Sequence, residues 1–207
     1  MKINQIGRSM VEIIGVLAII GVLSVGAIAG YSKAMMKHKL NKQSTQFNQI
    51  FTAVYKYDNW GNITGSGNMI PMLKTLGEIP REMITTDTQY IYDVFKNRIS
   101  ISLNSYYKAP KLYVYLDLSE SGESMEICRN IFYTVKEWHE NMFVIESYGV
   151  STEGNQNLQA YGDKYCSRGR TCLVDLTLDR IDNLCRAQLG REFMFQIYTA
   201  DYRETTE

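Results

Sequence analysis

The sequence predicts an α+β fold: a long N-terminal helix packed on an antiparallel sheet head with flanking helices. Three observations carry that expectation. An apolar run is followed without proline by a helical stripe, several later segments alternate or are rich in Tyr, Val and Ile, and these are interleaved with two helical periods. The chain has 207 residues, enough for one extended helix and one compact head.

The first element is the stretch from Gly7 to Ala29, GRSMVEIIGVLAIIGVLSVGAIA, in which Glu12 is the sole charge from Met10 to Ala29. At about 1.5 Å rise per residue, a helix of that length crosses the roughly 30 Å hydrocarbon core of a bilayer. A charge inside such a helix costs about 2.5–3.5 kcal/mol at mid-bilayer and less near an end. Glu12 therefore needs an account. It either pairs with Arg8 at i,i+4 or snorkels to the headgroups, or it awaits a cation from a second copy of the chain.

The helix is expected to run on to about residue 60. Phe47, Ile50, Phe51 and Val54 fall at i, i+3, i+4 and i+7, an amphipathic half that docks on the head. Lys37 to Gln46 is polar all round and reads as solvated or as a subunit boundary, and Gly61 in Asn59-Trp60-Gly61-Asn62 is placed to cap the end. Residues 61–98 read as an irregular connection punctuated by Gly61, Gly65, Gly67 and Pro71, with a short helix over Met69 to Leu76 stopped by Gly77.

Residues 99–207 form the expected head. Ile99 to Leu103 alternates and Lys111 to Leu118, KLYVYLDL, is the strongest strand signal, with Tyr106 to Pro110 as the turn between them. Glu123 to Glu140 carries Met125, Ile127, Ile131, Val135 and Trp138 at helical spacing. Strands are expected over Met142 to Tyr148, Thr171 to Leu176 and Glu192 to Tyr198, a polar loop over Ser151 to Asn157, and a short helix over Leu178 to Gln188.

Composition excludes more than it assigns. Lys plus Arg equals Asp plus Glu at 22 each, so bulk charge offers nothing to nucleic acid. The 15 tyrosines favour a β-rich head without naming a ligand. No nucleophile elbow, phosphate loop or zinc-protease signature is present, His38 and His139 stand alone, and no enzyme activity or cofactor is expected. Asp175, Asp179 and Asp182 read as solvated surface charges, and Arg168 and Arg170 as an exposed loop or a contact for an anionic partner.

The 4 cysteines, Cys128, Cys166, Cys172 and Cys185, lack C-x-x-C spacing, so disulfides are expected rather than zinc. Four cysteines allow three pairings. Cys166 and Cys172 are near enough to close a small loop, and a bond between Cys128 and Cys185 would contribute about 4 kcal/mol in the chain-entropy model.

Gly7-Arg8-Ser9-Met10-Val11-Glu12 before an apolar helix resembles the leader junction of type IV pilins and pseudopilins. The resemblance implies a leader over residues 1–7, cut by a membrane prepilin peptidase between Gly7 and Arg8, and a mature helix over 8–60 whose part 10–29 serves as membrane anchor and filament core. It implies that Glu12 pairs with the new N-terminal amine of a neighbouring subunit during assembly by an inner-membrane platform. Gly21 also matches a helix glycine of the family. The sequence departs from the pattern at Arg8, where an apolar residue is usual, and at Ala29, where many members have proline.

Leu116-Asp117-Leu118 with Glu126-Ile127-Cys128-Arg129, and Leu176-Thr177-Leu178 with Ile181-Asp182-Asn183-Leu184-Cys185-Arg186, resemble the cysteine segments of type IVb pilins. That likeness implies a Cys128–Cys185 disulfide bounding the variable part of the head, with Cys166–Cys172 inside it. The implied function is structural: a subunit that polymerises with other pilins into an extracellular or periplasmic filament for adhesion, aggregation or secretion, held singly in the inner membrane beforehand. A type II secretion pseudopilin is the near alternative. A non-polymerising, membrane-anchored periplasmic binding domain is the distant one, kept uncut or cut after Ala29 at the A-x-A-like Ala27-Ile28-Ala29. The lysines Lys33, Lys37, Lys39 and Lys42 beyond the apolar run oppose an outward head by charge count, whereas the cysteines favour one.

Overall fold

A computed structural model describes residues 6–56, 67–104, 109–118, 122–149, 158–187 and 191–198. The elements are α1 (Ile6–Lys56), β1 (Gly67–Asn68), α2 (Ile70–Thr75), β2 (Ile91–Tyr92), β3 (Arg98–Asn104), β4 (Ala109–Leu118), α3 (Gly122–Glu137), β5 (Val144–Gly149), β6 (Leu158–Tyr161), α4 (Leu178–Ala187) and β7 (Arg191–Tyr198), with 3₁₀ turns at Arg81–Met83 and Asp163–Tyr165. The architecture is α+β, and the chain divides into two compact units, residues 1–39 and 40–207.

Over its described residues, 6–39, the first unit is helix, apolar as far as Ala29. From Met10 to Ile28 every large hydrophobic side chain is more than half exposed, and α1 is long and apolar enough to cross a membrane by length and composition.

The second unit contains the end of α1 and the head. Its sheet has the order β1-β3-β4-β7-β5-β6, with β2 also on β3, and every ladder is antiparallel. The period-2 pattern of β3 puts Ile99, Ile101 and Leu103 in the core, and Ile101 stands opposite the buried Leu112 of β4. β7 is the last strand in the chain and sits at the centre, between β4 and β5, with Leu112 opposite Ile197 and Ile145 opposite the same residue. The α1 stripe Phe47, Ile50, Phe51 and Val54 is fully buried, as are Cys128, Ile131, Phe132 and Val135 of α3. Phe51 meets Trp138 edge-on at 5.6 Å between centroids, and Tyr55 stacks on the same indole.

α2 ends on a complete Schellman motif. Gly77 takes φ +73°, its N–H donates to Lys74 O at 3.1 Å, and the Glu78 N–H donates to Leu73 O at 3.0 Å.

Several expectations are corrected. Ala109 and Pro110 belong to β4, opposite Asn104 and Leu103, rather than to a turn, and residues 106–108 of that turn lie outside the described residues. Thr171 to Leu176 is not a strand: it makes one parallel bridge, Tyr161 with Cys172, and otherwise turns. The described part of the connection, residues 67–97, carries two short strands and a 3₁₀ turn besides the expected short helix. β6 answers to no strand expected from the sequence. The polar stretch Lys37 to Gln46 is half inside the head, for Gln43 and Gln46 are 0% and 1% exposed. The expected cap around Gly61 and the loop over Ser151 to Asn157 lie outside the described residues.

Candidate functional site

Gly7 and Arg8 fall in the first turn of α1, and the Arg8 side chain lies outside the described residues. Glu12 is exposed on the helix surface among Met10, Val11, Ile13 and Ile14, each more than half exposed. Gly21 meets no neighbouring heavy atom within 4 Å of the position a Cβ would take, and the same holds for Gly15, Gly26 and Gly30. The helix thus presents an apolar surface with one carboxylate in its first turns. In a bilayer or against other apolar helices, each large side chain covered contributes about 1.5–3 kcal/mol. The carboxylate resists the same transfer unless a cation meets it.

The foot of α1 is fixed to the head by a buried polar joint that sequence reasoning missed. Asp93 opens the turn between β2 and β3 and is 2% exposed. Its Oδ1 accepts the backbone N–H of Phe95 at 2.9 Å and of Asn97 at 2.8 Å, an Asx turn. That turn carries Lys96 at φ +70°. Its Oδ2 accepts Gln43 Nε2 at 2.6 Å and Asn97 Nδ2 at 2.8 Å. Gln43 Oε1 in turn accepts Asn130 Nδ2 at 2.9 Å, and the same amide donates to Leu40 O. Gln46 Oε1 accepts the Val94 N–H at 2.9 Å. Ser44 bonds Asn130 and Thr134. Residues 40–46 of α1, nearly two turns, are therefore tied to the β2–β3 turn and to α3; an apolar stripe alone would tolerate sliding.

Burial pushes the Asp93 carboxyl up, the larger effect, and hydrogen bonds from Asn97, Gln43 and Phe95 pull it back in part. The folded state then holds the proton more tightly than the unfolded chain does. Asp93 contributes stability below the ordinary aspartate range, and that contribution is lost as pH rises through its raised folded value. Asp93→Asn sets an NH₂ against two donors in either placement of the amide, so about 1–3 kcal/mol of stability is expected to go. Urea unfolding of the full chain in detergent checks this; an unchanged midpoint contradicts it.

A second constellation joins α3 to α4. Cys128 is bonded to Cys185 with both residues fully buried, at a Cα–Cα distance of 5.8 Å. One residue along, the Arg129 guanidinium grips both oxygens of Asp182, from Nε to Oδ1 and from Nη2 to Oδ2 at 2.8 Å. The hydrogen bonds from Arg129 hold the Asp182 carboxyl below the usual range, so this pair supports the fold above that range and weakens as pH falls through the lowered value. Asp182 is thus a clamp rather than the solvated charge expected of it; Asp175 and Asp179 are exposed.

Cys166 is bonded to Cys172 around the tip Ser167 to Thr171, where Gly169 takes φ +91°. Arg170 lies over the Tyr161 ring at 4.5 Å and donates to Tyr165 O, while Arg168 is exposed. His139 pairs with Asp163 at 2.8 Å and His38 is exposed. Among the described residues no three His, Cys, Asp or Glu side chains come together to hold a metal ion.

No family model, curated protein or solved structure matches the chain. A long apolar N-terminal helix followed by a small sheet head with disulfides is compatible with a pilin-like fold.

Proposed function

We propose that this chain is the structural subunit of a type IV pilin-like filament. The supporting observation is a helix with an exposed apolar surface from Met10 to Ile28 and a single carboxylate, Glu12, near its start. A prepilin peptidase cuts between Gly7 and Arg8 and frees an amine. The helix rests in the inner membrane until the assembly platform lifts it out. Helices then gather in the filament core and exchange lipid contacts for one another, so packing and the Glu12–amine pair determine the stagger. The heads face outward.

Glu12→Ala removes the carboxylate and leaves the apolar surface intact. The expected result is a subunit that reaches the membrane at normal level and enters sheared filaments at least roughly tenfold less often, the factor that corresponds to about 1.4 kcal/mol. Incorporation equal to the parent chain contradicts the pairing role.

A further inference from the structure

The face of α1 opposite the buried phenylalanines carries a second pattern. Thr45, Asn48, Gln49 and Thr52 recur at i, i+3, i+4 and i+7, and they form one wall of an open groove of about 570 Å³. Gly77 to Arg81 forms the other wall. The volume lies in the range of small-molecule sites. Ile79 is buried, so the groove has an apolar flank beneath its polar lining.

Among the described residues, two cations at the groove meet carboxylates and a third does not. Lys56 pairs with Glu78 at 2.5 Å and Lys42 with Glu82 at 3.5 Å. Arg81 is exposed and meets no carboxylate among the described residues. The neutral lining is partly spent and partly open. Asn48 Oδ1 accepts Trp138 Nε1 at 2.7 Å, which fixes that amide and leaves Nδ2 to donate. Thr45 and Thr52 donate to Asn41 O and Asn48 O, so their oxygens remain as acceptors. Gln49 is exposed and has no hydrogen-bond partner among the described residues.

The wall also shows what does not fit. The Gly77 and Glu78 N–H groups are consumed in the cap of α2, and the α1 backbone is bonded within the helix. An extended peptide would find no strand edge to pair with, and its own amides would lose water for little return. A saccharide carries hydroxyls that both donate and accept, and these match a row of Thr oxygens and Asn and Gln amides spaced by about one helical turn, roughly 5.4 Å. One uncompensated guanidinium adds a single carboxylate to the requirement.

We infer that the groove between α1 and the Gly77–Arg81 segment binds an acidic saccharide, its uronate carboxylate on Arg81 and its hydroxyls on Asn48, Gln49 and the two threonines. The assignment does not depend on the filament reading: a membrane-anchored monomer would bind the same ligand.

The test uses the full chain in a detergent without sugar headgroups, titrated calorimetrically with trigalacturonate, maltotriose and triglutamate. Expected is saturable binding of trigalacturonate, weakened at least roughly tenfold by Arg81→Gln and by a smaller factor by Gln49→Ala, and unaffected by Arg168→Gln. Both altered groove residues are exposed, so an unchanged unfolding midpoint accompanies the loss. Absence of saturable binding, equal weakening by Arg168→Gln, or triglutamate binding as tight as trigalacturonate overturns the assignment.

Discussion

Replacing Gly162 with alanine is expected to destabilise the head by about 3 kcal/mol or more. A Cβ at this position would stand 1.9 Å from Met142 O and 2.6 Å from His139 O, both backbone atoms. No rotamer change relieves that overlap. The segment must move, and in moving it strains the Gly162 N–H bond to Phe143 O at 3.0 Å and the Asp163 N–H bond to His139 O at 2.9 Å. These bonds hold β6 against the turn that follows α3, beneath the Phe143, Val144 and Tyr161 cluster. The backbone at Gly162 is ordinary, with φ −66°, so the effect is steric alone. Gly77→Ala is the informative contrast. There nothing lies within 4 Å, but φ is +73°, and only about 1–2 kcal/mol is expected from the left-handed backbone. Thermal unfolding of the two variants should rank them in that order. Equal small shifts would show that the β6 approach is looser than described.

Converting Cys128 and Cys185 together to serine is expected to remove about 4 kcal/mol. The bond spans a sequence separation of 57, so much of the effect comes from freeing the unfolded chain. Two hydroxyls then occupy fully buried positions, which adds to the loss. The neighbouring grip of Arg129 on Asp182 spans the same two helices but is partly exposed, and it does not replace the crosslink. At roughly 2–4 °C per kcal/mol for a unit of this size, the thermal midpoint falls by about 8–16 °C. Opening Cys166–Cys172 in the same way should cost less, because that loop is short, with a separation of 6. A double-serine variant at 128 and 185 that melts with the parent chain would contradict the account of how α3 and α4 are held.

The parts of the fold that were legible in the sequence are those where local pattern and tertiary environment agree. The Phe47 stripe, the alternation of Ile99 to Leu103 and the period of α3 each bury the face that their spacing marks. Thr171 to Leu176 looked like a strand because it is apolar and β-branched, but the Cys166–Cys172 bond turns the chain there and leaves it one bridge to Tyr161. β6, Leu158–Tyr161, is too short and too mixed to announce itself, and it exists because Val144 to Ser147 offers it a partner edge. The central place of β7 depends on pairing with residues some eighty positions earlier, which no local pattern encodes. Gln43 and Gln46 looked solvated for the same reason. Their partners, Asp93, Asn130 and the Val94 N–H, are far along the chain, so a polar turn of helix gave no sign of being buried. The groove beside Arg81 was equally silent, since its second wall belongs to a separate segment.

We propose that Glu12 is stranded on an apolar helix because its counter-charge is an amine made by proteolysis. The intact mass of the chain extracted from membranes of its native host tests this most directly. A polypeptide beginning at Arg8, lighter by Met1 to Gly7, is the predicted result. A chain that keeps Met1, or one that begins at Gly30, would contradict it.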